Sequence, residues 1–255
     1  MIIGGLQKFS LLDYPGAVSA IVFTKGCNFR CHFCYNPMLV WPEEKVGKFK
    51  NITSAQEAEE EKDHPLGYSL SEPIEEDGLF NFLKSRQGKI EGVVVTGGEP
   101  TIHSDLPEFI KKIKDLGYLI KLDTNGTNPK MLGELIKKGL VDYIAMDIKA
   151  PKEKYEKVTG VKVDFKKIEK SVKIIKESKL SYEFRTTVAP GLLEKEDIAE
   201  MGKIIKGAEK WFLQKFQSEI SLVDKNFQGL PSFMDREMGE MAKIGGKYVK
   251  KCEAR

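Results

Sequence analysis

Apolar runs recur along this chain, separated by amphipathic stretches, and the alternation predicts its elements. Residues 18–24, 92–96, 118–123, 143–148, 182–188 and 211–216 read as short strands, with 92–96 apolar except at its end. Such runs suit parallel strands covered on both faces. Between them, apolar residues return at helical spacing. Leu106, Phe109, Ile110, Ile113 and Leu116 line one face of a helix. Asp105-Leu106-Pro107-Glu108 reads as a capping box at its start, and Gly117 as its stop. Asn128 and Pro129 open the next helix and Gly139 ends it. Further helices are predicted near 73–85, 164–178, 195–206 and 233–250. Right-handed crossovers would curl six βα units into a partial barrel. The expectation is an α/β fold in one domain spanning 1–255. A polar interval at about 43–70, containing Glu57-Ala58-Glu59-Glu60-Glu61-Lys62-Asp63, reads as an insertion.

Composition narrows the partners. The 41 Lys and Arg against 38 Asp and Glu leave a net charge of +3, spread rather than concentrated. That is too little for a nucleic-acid footprint. No run approaches the roughly 18–20 apolar residues needed to span a membrane. The first residues lack a basic segment followed by an apolar core, so no signal peptide is read there and the expectation is a cytoplasmic protein.

The candidate chemistry begins at the end of the first predicted strand. Cys27, Cys31 and Cys34 lie in one loop with C-x3-C-x2-C spacing. Three thiolates can hold three irons of a 4Fe-4S cluster and leave the fourth iron open. Zinc, with His32 as fourth ligand, is the competing reading, although structural zinc sites usually draw ligands from two separated pairs. Structural or redox thiols are a third. Cys252 stands apart and has no evident role. Other polar residues also gather at strand ends, where βα barrels place their active sites. Thr96-Gly97-Gly98-Glu99-Pro100 follows the second strand and Asp123-Thr124-Asn125-Gly126 the third. Asp147 and Lys149 share a side at the end of the fourth, and Arg185 lies in the fifth. Asp123, Thr124 and Asp147 form an oxygen-rich set that could take a hard cation. Hydrogen bonding to loops is the simpler use, and Asn125 can serve its turn alone.

The cysteine motif, with Phe33 just before its last cysteine, resembles that of the radical S-adenosylmethionine (radical SAM) superfamily. Gly97-Gly98-Glu99-Pro100 is similar to that family's Gly-Gly-Glu-Pro motif. The resemblance implies a (β/α)6 partial barrel of parallel strands, a 4Fe-4S cluster on Cys27, Cys31 and Cys34, and S-adenosylmethionine on the open iron. Reductive cleavage of the cofactor then yields a 5′-deoxyadenosyl radical. The resemblance places Phe33 near the adenine, Gly97, Gly98 and Glu99 near the methionine amino group, and Lys149 at ribose or carboxylate. Asp123, Asp147 and Arg185 fall among the implied cofactor contacts. Segments 4–16, 141–150 and 184–191 resemble glycyl-radical-enzyme activases, closest to activating proteins of anaerobic ribonucleoside-triphosphate reductase. That implies a glycyl-radical enzyme as partner and a low-potential electron donor such as ferredoxin or flavodoxin. Tyr35 departs from the pattern where relatives often have His, and Gln214 or Phe216 stands near where some place a cofactor-binding His. A radical SAM enzyme acting on a small molecule or tRNA, and a non-catalytic iron–sulfur or zinc protein, are the alternatives.

Overall fold

The structure is a computed structural model that describes residues 1–40 and 74–255. The insertion expected at 43–70 lies outside the described residues. The chain forms two compact units. One comprises residues 1–28, 36–123 and 135–142; the other comprises 29–35, 124–134 and 143–255.

In the first unit, β1 (Ile3–Ser10) and β2 (Ser19–Thr24) form an antiparallel hairpin. β3 (Gly92–Gly97) and β4 (Leu119–Thr124) add to it in parallel, with Val22 opposite Val95 and Thr24 opposite Gly97. Every residue of β2 is buried, with the apolar run Ala20–Phe23 between Ser19 and Thr24, as suits a central strand. Short α1 (Pro37–Val40) and α2 (Glu76–Ser85) precede β3. α3 (Leu106–Asp115) buries Leu106, Phe109, Ile110 and Ile113, the face its spacing predicts. Each such side chain contributes on the order of 1.5–3 kcal/mol when fully buried. Its start differs from expectation. Asp105 occupies the cap position but makes no side-chain cap bond; its carboxylate holds the Met1 ammonium instead. A charged donor is a stronger partner than a backbone amide.

α4 (Pro129–Lys137) follows β4, and Gly139 after it takes a φ of +64°. The second unit then runs β5 (Tyr143–Asp147), α5 (Tyr155–Thr159), α6 (Phe165–Glu177), β6 (Ser181–Val188), α7 (Asp197–Ile204), β7 (Lys210–Lys215), α8 (Asp235–Gly245) and β8 (Lys251–Ala254). β5 to β8 pair in parallel, each with the next. Asp164 caps α6 by accepting from the Lys166 amide at 3.2 Å. Cys252 finds its role here as packing. A Cβ on Gly245 would lie 2.5 Å from its Sγ and 3.0 Å from Trp211, so the glycine lets α8 close onto β7 and β8.

The fold is α/β with mostly parallel strands, and strand order follows chain order within each unit. Among the described residues, eight strands are present rather than six. The additional ones are β1 and β8, in which polar and apolar residues mix. No described helix is long and apolar enough to cross a membrane.

Candidate active site

In the first unit, β2 runs straight into the loop bearing Cys27. The ends of β2 and β3 are joined backbone to backbone. The Gly98 amide donates to Thr24 O at 2.8 Å, the Glu99 amide to Gly26 O at 2.8 Å, and the Gly26 amide to Leu39 O at 2.7 Å. This contact explains the glycine pair. Gly97 has a φ of +114°, and a Cβ on it would meet Thr24 N at 2.3 Å. A Cβ on Gly98 would lie 2.0 Å from Gly26 O. The close approach these glycines permit is to the cysteine loop itself. Glu99 is buried, and its Oε1 accepts from the Thr101 amide and hydroxyl at 3.1 and 2.5 Å. At the end of β4, Asp123 takes the Nζ of buried Lys121.

The second unit carries the rest. Cys31 is buried and Cys34 half-buried; the Cys34 amide donates to Cys31 O at 3.0 Å in a tight turn. Phe33 is buried, with Lys149 Nζ 5.5 Å from its ring centroid in a cation–π contact. Asp147, at the tip of β5, is held from two sides. Its Oδ2 accepts from Lys149 Nζ and its Oδ1 from Arg185 Nε, both at 2.9 Å. Burial pushes this carboxyl up, but the Arg185 guanidinium and the Lys149 ammonium outweigh it and hold the carboxyl at about 2. Burial alone would lower Lys149; Asp147 reverses the sign and raises it. Burial also drives the Cys31 thiol up to about 12, against the pull of Lys149. Such a thiol keeps its proton until a metal takes its place.

Several expected site residues are occupied locally. Asn125 serves its turn, accepting from the Thr127 amide at 3.0 Å and hydroxyl at 2.7 Å. Gly126 donates to Thr124 Oγ1 at 3.1 Å. Asp123 and Asp147 each meet lysine or arginine rather than forming an open oxygen cage. Among the described residues, no three His, Cys, Asp or Glu side chains converge as they would around a single ion. His32, the fourth ligand of the zinc reading, turns its Nδ1 to Asp224 Oδ2 at 2.8 Å.

The ligands of a cubane sit around its corners and do not converge on one atom, so three thiols in one short loop suit a 4Fe-4S cluster. Among the described residues, three buried polar atoms lack a hydrogen-bond partner: Ser19 Oγ, Thr24 Oγ1, three residues before Cys27, and His103 Nε2, whose ring lies near Gly26. Such orphans are rare, and the last two fit the place of a polar group. Sequence reasoning missed His103, because one histidine in a turn carries no spacing signal. It also missed Tyr155, a buried ring edge-on to Phe29 at 6.3 Å.

The sequence profile of the Radical SAM superfamily matches residues 21–206. A Methanocaldococcus jannaschii protein named as a candidate glycyl-radical enzyme activating enzyme is 31% identical over 254 residues, covering 97% of this chain and 93% of its own. A second protein of that organism with the same designation is 26% identical over 217 residues, covering 83% of this chain and 70% of its own. Among solved structures, a domain of pyruvate-formate lyase-activating enzyme from Bacteroides vulgatus shares the fold, with a TM-score of 0.51 at 16% identity over 65% of this chain and 98% of that one. The chain belongs to the radical SAM superfamily, whose enzymes use a 4Fe-4S cluster and S-adenosylmethionine.

Proposed function

We propose that this radical SAM enzyme activates a partner protein by taking a Cα hydrogen from one of its glycines, and that the partner is an anaerobic ribonucleoside-triphosphate reductase. The observation that carries the activase reading is the near full-length match, 97% of this chain, to a candidate activating enzyme. The choice of reductase rests on the resemblance of segments 4–16, 141–150 and 184–191 to its activating proteins.

When bound, the cluster and S-adenosylmethionine supply a 5′-deoxyadenosyl radical strong enough to take such a hydrogen. The chain's own residues bind and orient. Cys27, Cys31 and Cys34 hold three irons as thiolates. Lys149 and Arg185 both pair with Asp147. Their positive charge suits an anionic thiolate set and the cofactor's carboxylate. Gly97, Gly98 and Glu99 present backbone at a strand end to the cofactor's ammonium group. Phe33 supports Lys149 from beneath and keeps water from its stem.

The test is anaerobic reconstitution with iron and sulfide, then reduction, then assay of S-adenosylmethionine cleavage with and without the reductase. The expected result is 5′-deoxyadenosine together with a glycyl-radical EPR doublet on the reductase. Cleavage with no radical on the reductase would remove that partner and turn the search to another protein, a small molecule or tRNA. A protein that assembles no cluster and cleaves nothing would overturn the enzyme reading.

A further inference from the structure

One loop, at 216–232 after β7, reaches back to the cysteine motif. It is closed on itself. The Gly229 amide donates to Ser218 O at 2.9 Å, Ser218 Oγ to Leu230 O at 2.6 Å, and Ser232 Oγ to Phe216 O. Its middle then makes three kinds of contact with residues 32–34. The Val223 amide donates to Cys34 O at 2.9 Å, and the Asp224 amide to His32 O at 3.2 Å. Asp224 Oδ2 lies 2.8 Å from His32 Nδ1. The Phe227 ring lies against the His32 imidazole, with centroids 5.6 Å apart and planes tilted by 30°.

Asp224 is central because its two oxygens do different work. Oδ1 accepts from the Asn226 amide at 3.0 Å and shapes the loop's own turn, leaving Oδ2 for His32. The pair is only partly exposed, 31% for the His32 side chain and 23% for Asp224. A hydrogen bond in such a place holds better than one in open solvent. The backbone bonds to His32 O and Cys34 O fix the same stretch from the other side.

We propose that Asp224 is a positioning residue for the cluster: through His32 it straps the Cys31–Cys34 turn in place. The proposal rests on Cys31 and Cys34 being cluster ligands. Groups that orient ligands in this way commonly change metal retention 10–100-fold when removed.

The experiment compares the full chain with Asp224→Ala and Asp224→Asn. Two readouts are taken: the rate at which a chelator strips iron from the reconstituted protein, and amide hydrogen exchange in the metal-free protein. In Asp224→Ala, iron loss should be about tenfold faster, and the amides of Cys34, Val223 and Asp224 should lose protection while α6 and β6 keep theirs. Asp224→Asn keeps an accepting oxygen for one of the two contacts and should fall between Ala and the parent. The midpoint potential of the cluster should shift in Asp224→Ala, which loss of global stability alone would not cause. Parental iron loss together with parental exchange at those amides would overturn the proposal. If the parent chain assembles no cluster, the ligand assignment fails, and the exchange measurement still decides whether Asp224 straps the turn.

Discussion

Asp147 pairs with two cations at once, and its pH behaviour should show it. Its carboxyl is held at about 2, below the ordinary 3.8. A carboxyl depressed in the folded state stabilises the fold fully above its unfolded pKa, and that contribution fades as pH falls from about 4 through about 2. We expect the unfolding free energy of the metal-free chain to drop across this window by about 2 kcal/mol more than that of Asp147→Asn. Denaturant titration at stepped pH measures it; identical pH slopes would show that the pairing contributes nothing. The sequence placed Asp147 and Lys149 on one side of their strand and Arg185 in the next, so the members of this triad were legible and the pairing of Arg185 with Asp147 was not. Which oxygen meets which cation depends on the register between β5 and β6, where Asp147 stands opposite Arg185.

The junction of β2 and β3 is the element on which presentation of Cys27 depends, and glycine substitutions should report on it. Gly98→Ala would drive a methyl group into Gly26 O and break the Glu99 amide bond to it. The expected outcome is a chain that folds but takes up less than about a tenth of the parental iron, the lower end of the losses seen when groups supporting ligands are removed. Iron and sulfide analysis decides it, with circular dichroism as the check on folding. Gly78→Ala, in α2 with nothing within 4 Å of the added Cβ, should instead stabilise by about 0.5–1 kcal/mol. The contrast separates glycines that a close approach requires from one that it does not. Strands that alternate with amphipathic helices could be read in advance: β2 to β7 fall within about two residues of their expected bounds. β1 and β8 could not. Gln7 and Lys8 in the one, Lys251 and Glu253 in the other, interrupt the apolar signal. The cap at Asp105 failed for a different reason, since no local pattern announces that a chain terminus will arrive there.

At the scale of the molecule, the last residue of the sequence acts on the interior. Glu183 is 2% exposed, and its carboxylate accepts from Tyr143 Oη and from Arg255, both at 2.9 Å. The Arg255 guanidinium also lies 4.2 Å from the Phe212 ring centroid. One side chain thus ties β5, β6 and β7 to the end of β8. Arg255→Ala would leave a buried acceptor with one donor fewer, and we expect a loss of about 1–3 kcal/mol, read as a lower urea midpoint. Glu183→Gln, which leaves an oxygen for Tyr143, should cost less; a parental midpoint for Arg255→Ala would rule the tie out. None of this is visible in a residue list, because a terminal arginine has no period. The radical chemistry was legible because ligand spacing is local. A partner's glycine loop leaves no comparable imprint on the enzyme's own sequence.

The backbone holding the cysteine motif also sets an order of events during synthesis. Arg30 N is held by Thr159 O, and the carbonyls of His32 and Cys34 are held by the amides of Asp224 and Val223. A ribosome makes the three thiols before Thr159, and Val223 and Asp224 later still. Until then the thiols belong to an unfinished chain, open to oxidation and to stray metals. A chain cut short before Val223 would carry all three cysteines without the backbone bonds that hold His32 and Cys34.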